Sequence, residues 1–298
     1  MILSEAPLRL SFFGGGSDFP EVFAHQPAAV LSTAIEWTSR VSVHRPPRGV
    51  AESPLRAVHE RIENCQRVAD LAHPLIRSAL EHARLEPPLE LHAWGDLPSG
   101  LGLGSSSSFA VALLDALDAL EGRERSPLEL AYEAIALERR VGADAVGCQD
   151  QAICALGGLR RLEFRALDDI RSHELPISPA RRSELEAHLL LVRVGARRAA
   201  PRLERRKLER VERNRRALAG MVAQVDRACD LLCGGGPLAE LGTMLDAAWQ
   251  AKRHLAEGVS TPEIDALYHR GREAGALGGK MLGAGGGGFL LLFAPPER

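Results

Sequence analysis

The sequence predicts an α+β fold, and three observations carry that reading. Apolar residues alternate with polar ones near the N-terminus and around residue 90, the period of half-buried strands. Through the middle and the C-terminal third, apolar residues recur every three or four positions, the period of amphipathic helices. The two kinds of segment do not alternate as regular βα units, which argues against a parallel doubly wound sheet. A chain of 298 residues, 45% hydrophobic and 26% charged, can bury a sizeable core in one large domain or two closely joined ones.

Each element follows in order. In PLRLSFFGGGSDFP, Leu8, Leu10 and Phe12 alternate with Arg9, Ser11 and Phe13, so a short strand runs into a glycine turn with Arg9 facing away from Leu8 and Leu10. Ile35, Trp37, Val41 and Val43 oppose Glu36, Thr38, Arg40 and Ser42, a second strand with an antiparallel neighbour. Residues 46–54 read as a loop, and residues 53–83 as helix broken at Pro74. Leu89, Leu91 and Ala93 share one face of a further strand. Ala110, Leu113, Leu114, Leu117 and Leu120 line a helix, and another begins where Ser126 can cap and Pro127 can occupy the first turn. The character of the chain changes near residue 165, dividing it into lobes at 1–165 and 166–298. In the second lobe HLLLVRVG is a strand, and Leu208, Val211, Leu218, Val222, Val225, Cys229 and Leu232 mark one long helix over about 202–234. Helices over 237–256 and 261–275 follow, then a glycine turn feeding a buried strand.

Several function classes fall away. The formal charge of −2 gives no bulk attraction to nucleic acid or anionic membrane. The stretch 202–216 holds eight Lys or Arg, but Glu204, Glu209 and Glu212 interleave with them at helical pairing distance, as on a solvated helix. The N-terminus lacks a basic segment followed by an apolar core, and FLLLFA is too short to cross a bilayer, so a cytoplasmic location is expected. Five cysteines without a C-x-x-C pair predict neither a disulfide framework nor a zinc site; Cys229 and Cys233 read as small buried hydrophobes. The histidines show no metal-ligand spacing. Apolar faces on several helices could serve a core or a homodimer.

The informative stretch is LPSGLGLGSSSSFAV, residues 97–111. A strand ends, glycines turn the chain, and serines open a helix whose first amides lack internal partners and carry the positive end of the macrodipole. Such a segment is suited to cradle phosphate. No G-K-[ST] follows the glycines, so it is not a Walker A loop.

This segment resembles the ATP-binding motif of the GHMP kinases in Pro98, Gly100, Gly102, Leu103, Gly104, Ser105 and Ser106, with Ser107 continuing the run. APLRLSFFGGGSD resembles that family's substrate-side motif, and GGKMLGAGGGGFLLLF its third motif. The resemblance implies a two-lobed fold with the active site in the cleft between lobes. It implies ATP and Mg2+, the ion held by Ser106 (or Ser105) and Glu138; Asp150 as the catalytic carboxylate; and Arg9 as the cation that stabilises charge during transfer. Gly14, Gly15, Gly16, Ser17 and Asp18 would meet the acceptor, as would Gly285 and Gly286 of the third motif. QDQAICALGG, WQAKRHL and STPEIDALY further resemble the branch that phosphorylates the anomeric hydroxyl of D-glycero-D-manno-heptose 7-phosphate. An acceptor that already bears phosphate needs cations, and Arg197, Arg198, Lys252, Arg253 and Lys280 are the candidates. Two other readings stay open: another sugar or sugar phosphate as acceptor, or a catalytically silent sensor of ATP and sugar. The expected partners are small molecules, with no nucleic acid and no membrane.

Overall fold

The computed structural model describes residues 1–47, 49, 52–142, 146–195 and 200–297. The first sheet is organised by β2 (Ala28–His44), which pairs antiparallel with β1 (Ile2–Phe13) along its length. Its residues 28–33 pair with β6 (Leu159–Ala166) and its residues 39–44 with β5 (Leu89–Gly95). Beyond β5 lie β3 (Leu55–Val58) and β4 (Ile62–Cys65), and beyond β6 lies β7 (Asp169–Glu174). A second sheet has the order β8-β10-β9, with β8 Leu189–Val194, β9 Gly278–Met281 and β10 Gly288–Phe293. Of the helices, α1 (Pro20–Phe23), α2 (Pro74–Ala83), α3 (Ser105–Leu120), α4 (Pro127–Gly142) and α5 (Gln149–Leu156) belong to the first lobe. The second lobe carries α6 (Pro179–Ala187), α7 (Ala200–Leu208), α8 (Val211–Gly234), α9 (Ala239–Arg253) and α10 (Pro262–Glu273).

Alternation explains why β1 can serve two purposes. Leu8, Leu10 and Phe12 enter a core with Val225 and Leu232 of α8, Leu245 of α9 and Phe293 of β10. Arg9, between them, faces the cleft. The ladder with β2 shifts register between Pro7 and Arg9, and the Arg9 amide donates to the Leu103 carbonyl at 2.9 Å, tying β1 to the glycine loop. A separate core packs Val41, Val43, Leu55 and Leu91 of the sheet against Ile76, Leu80, Leu113 and Leu117 of the helices.

Some expected elements differ. Residues 53–73 form the β3–β4 hairpin and a short 3-10 turn, and helix begins only at Pro74. Leu55 and Ala57 are fully buried and Arg56 is exposed, so the apolar spacing there is that of a strand on a parallel neighbour, β5. The first lobe does not end at 165: β6 and β7 pair across Ala166, so the first sheet runs to Glu174. The long helix is two, interrupted at residues 209–210. Cys233 is exposed rather than buried. Ser126 caps α4 as expected, exchanging hydrogen bonds with Glu129.

Candidate active site

A cavity of about 1220 Å³ opens between the lobes, lined by β1, the glycine loop before α3, the starts of α3 and α5, and cations from α7, α9 and β9. Gly104 starts α3 in the left-handed conformation, φ 73°, with no side-chain cap. The amides of the first turn are therefore left for a ligand. The four serines do other work. Ser106 and Ser107 each donate to Glu138 at 2.5 Å, and Ser108 donates to the Ala6 carbonyl at 2.7 Å. Gln151 donates to the same Glu138 at 2.6 Å. Glu138 is 7% exposed, and its described partners are hydroxyls and an amide, none of them a cation. Burial raises its pKa, opposed by those hydrogen bonds.

Three consecutive residues at the start of α5 bind three other segments. Gln149 donates to Asp18 at 2.9 Å, Asp150 accepts two bonds from Arg9, and Gln151 reaches Glu138. The Arg9–Asp150 contact is bidentate, Nε to Oδ1 at 2.7 Å and Nη2 to Oδ2 at 2.5 Å. The remaining guanidinium nitrogen donates to the Gly102 carbonyl at 2.6 Å. Arg9 is buried, whereas the Asp150 side chain keeps 26% of its surface open to the cavity. Burial works against the Arg9 charge, but Asp150 outweighs it and holds the guanidinium above its ordinary range. Cys148 and Cys154 flank this turn as buried thiols pushed up by burial, which makes them poor nucleophiles.

Opposite sits a group of lysine amines. Lys252 donates to the carbonyls of Met281 at 2.8 Å and Gly283 at 2.6 Å; Lys280 donates to that of Phe12 at 2.7 Å. Both line the cavity, both are nearly buried, and among the described residues neither has a carboxylate partner. Burial, with Arg9 and Lys207 near it, brings Lys280 down to about 7, and burial with Lys280 alongside pushes Lys252 well below its usual range. Lys207 of α7 joins them, paired with Glu204 at 2.6 Å.

Of the expected site residues, the structure gathers Arg9, Gly15, Gly16, Asp18, Pro98, Gly100, Gly102, Gly104, Ser105, Ser106, Ser107, Glu138, Asp150, Lys252 and Lys280 around one cavity. Others need correction. Arg253 follows Lys252 by about 100° around α9, so it points away and pairs with Asp265 at 2.6 Å. Ser17 is fully buried and donates to the Ala29 carbonyl at 3.2 Å. Gly14 lies under β2, where a Cβ would overlap the Ala29 carbonyl. Leu103 puts its side chain into the core while its carbonyl receives Arg9. Gly285 and Gly286 pack on Val259 rather than on the cavity. Asp18 lines the cavity, but both its oxygens are occupied by protein donors. Arg197 and Arg198 lie outside the described residues. Glu204 and Lys207 were hidden in a stretch that reads as a solvated helix. A wall of rings also went unread: His59 and His73 stand 4.7 Å apart by centroid, and Phe109 lies 5.5 Å from His73.

An uncapped helix start, a buried carboxylate beneath it and a carboxylate–arginine pair facing it describe a phosphotransferase: an anion cradle beside a group that can hold an attacking hydroxyl. Comparison with known proteins makes the class specific. The model of the GHMP kinase N-terminal domain matches residues 68–158, and that of the GHMP kinase C-terminal domain matches residues 228–298. The chain belongs to the GHMP kinases, a family of ATP-dependent kinases. It is 26% identical over its whole length to D-glycero-alpha-D-manno-heptose 7-phosphate kinase of Campylobacter jejuni, covering 90% of that protein. It is 32% identical to the mevalonate kinase of Methanothermobacter thermautotrophicus over 70% of this chain and 65% of that one. The solved D-glycero-D-manno-heptose 1-phosphate kinase from Bacteriodes thetaiotaomicron superposes with a TM-score of 0.79 at 22% identity, covering 100% of this chain and 90% of that one. Among the described residues no helix is long and apolar enough to cross a membrane.

Proposed function

We propose that this chain transfers the γ-phosphate of ATP to the anomeric hydroxyl of D-glycero-D-manno-heptose 7-phosphate, giving the 1,7-bisphosphate. The observation that carries the choice of acceptor is the pair Lys252 and Lys280, two buried amines without a carboxylate partner among the described residues, in a cavity large enough for nucleotide and sugar together. Buried cations are paired or matched by a ligand, and a phosphate monoester supplies the missing negative charge. The whole-length likeness to a heptose 7-phosphate kinase supports the same acceptor.

In this reading the amides of the first turn of α3 hold the ATP phosphates, and the wall of His59, His73 and Phe109 offers flat surface to the base. Asp150 accepts the hydrogen bond of the attacking hydroxyl and aligns its oxygen, while Arg9 fixes the carboxylate. Lys280 and Lys252 hold the phosphate that the acceptor brings. The oxygen set of Glu138 and Ser106 fits a magnesium ion: it is hard, and it contains a buried carboxylate that no cation among the described residues pairs with. Such an ion would supply charge neutralisation to the phosphates of ATP. The assembled Asp150 and Glu138 speak against a silent sensor.

The test is an ATP-consumption assay with magnesium over D-glycero-D-manno-heptose 7-phosphate, sedoheptulose 7-phosphate, mannose, galactose and mevalonate, with phosphorus NMR of the product. A new anomeric phosphate on the heptose 7-phosphate is the expected result. Turnover of mevalonate or of an unphosphorylated sugar in its place would overturn the acceptor.

A further inference from the structure

Asp18 sits in the glycine turn after β1, where an exposed carboxylate would suit vicinal sugar hydroxyls. The structure gives it another environment. Asp18 is 1% exposed. Its Oδ1 accepts the Gly16 amide at 3.0 Å and the Gln149 side-chain amide at 2.9 Å. Its Oδ2 accepts the backbone amides of Cys148 and Gln149, each at 3.1 Å. An ionised carboxylate offers about four lone-pair sites, so no acceptor site remains. A sugar hydroxyl could bind there only by displacing one of these four buried donors, of which the Cys148 amide also reaches the Asp18 backbone carbonyl at 3.0 Å.

The donors it serves are those at the start of α5. The first-turn amides of α3 are uncapped, whereas those at the start of α5 are met by the carboxylate of Asp18, at the positive end of that helix. Asp150 is the next residue along. Gly147 is part of the same arrangement, because a Cβ there would overlap Asp18 Oδ2.

We propose that Asp18 is a positioning residue: it anchors the start of α5 so that Asp150 faces Arg9 and the attacking hydroxyl, and it does not itself contact the acceptor. This rests on the kinase reading above. It also links the glycine turn to the reaction centre, since one oxygen holds Gly16 while the other holds α5.

The experiment compares wild type, Asp18→Asn and Gly147→Ala. Whichever way the asparagine amide turns, its NH2 faces donors that the carboxylate accepted. For Asp18→Asn, kcat should fall by about 100-fold while the KM values for acceptor and ATP stay within about threefold, the signature of a reacting group displaced by a fraction of an ångström. Gly147→Ala keeps the carboxylate but crowds it, and kcat should fall in the same sense, by about tenfold. An acceptor KM raised tenfold or more in Asp18→Asn with kcat retained, and a silent Gly147→Ala, would overturn the proposal and make Asp18 an acceptor contact. Amide hydrogen exchange supplies a readout independent of any acceptor. Protection of the Gln149 amide, which Asp18 Oδ2 accepts, should drop by about tenfold or more in Asp18→Asn while the β1–β2 ladder is unchanged; undiminished protection at that amide also overturns it. If the wild-type protein phosphorylates nothing in the acceptor panel, the kinase reading fails, and the exchange result still decides the role of Asp18.

Discussion

Lys280 reaches a backbone carbonyl, lies within the field of Arg9 and Lys207, and is brought down to about 7. A phosphate dianion binds the ammonium and not the amine, so above that pH acceptor binding must take up a proton. The apparent KM for a phosphorylated acceptor should therefore climb from about pH 7 to about pH 9, by up to about tenfold per unit, while the KM for ATP stays level. Lys280→Met should raise the acceptor KM at neutral pH and flatten that climb; an acceptor KM independent of pH in the wild-type protein would remove Lys280 from the site. Without ligand the sign for stability is opposite to that of a favourable ion pair. The unfolded lysine holds its proton to about pH 10 and the folded one releases it above about 7, so the unfolded state binds more protons between those values and melting temperature should rise with pH across them. At this scale much of the site could be read from the chain. Arg9, Asp150 and Glu138 were reached by alternation and motif, and all three point at one cavity. Lys207 was not, because on a helix crowded with arginines only tertiary packing separates the one that turns inward. The bonds of Asp18 to the start of α5 could not be foreseen, since hydrogen bonds across 130 residues leave no mark in local sequence.

Helix starts and glycine turns decide the site at the next scale. The loop before α3 and the turn between β9 and β10 approach so closely that Gly102, at φ 81°, has no room for a side chain: a Cβ would stand 2.8 Å from the Leu282 carbonyl oxygen. Gly102→Ala should cost about 1–3 kcal/mol of stability from backbone strain and contact together, and raise the KM for ATP by about tenfold through the displaced cradle. Gly122→Ala is the control, because that glycine also has a left-handed φ of 67° but nothing within 4 Å of its Cβ. It should lower the melting temperature with no change in the KM for ATP. Equal KM values in the two variants would mean that the loop tolerates the contact. Elements with a strong period or punctuation, such as α3, β5 and α10, were legible. The β3–β4 hairpin was not. Its strands are four residues each, too short to show alternation above the noise, and the pairing of β3 with β5 is a tertiary event.

On the scale of the whole molecule, the two lobes are not separate folding units, because they divide the faces of one strand. Leu8, Leu10 and Phe12 of β1 pack with α8, α9 and β10 of the second lobe, while the sheet holding β1 belongs to the first. A boundary drawn from composition misses this, since a core shared between distant segments has no signature at the point where the chain crosses from one to the other. The consequence is cooperative unfolding. Trp94 reports on the first lobe, the fully buried Trp249 on the second, and Trp37, whose ring lies 6.1 Å from that of Phe289 in β10, on the junction between them. Phe293 of β10 is fully buried in the shared core, so Phe293→Ala should destabilise by about 3–5 kcal/mol. With a core shared between the lobes, denaturation curves from tryptophan fluorescence and far-UV circular dichroism should coincide in the wild-type protein and move together in the variant. Should the variant instead melt Trp249 early and leave the secondary structure of the first lobe in place, the lobes would be independent. Arg9 and Lys280, which meet across the cleft from different lobes, would then lose the rigid frame that holds them against a common ligand.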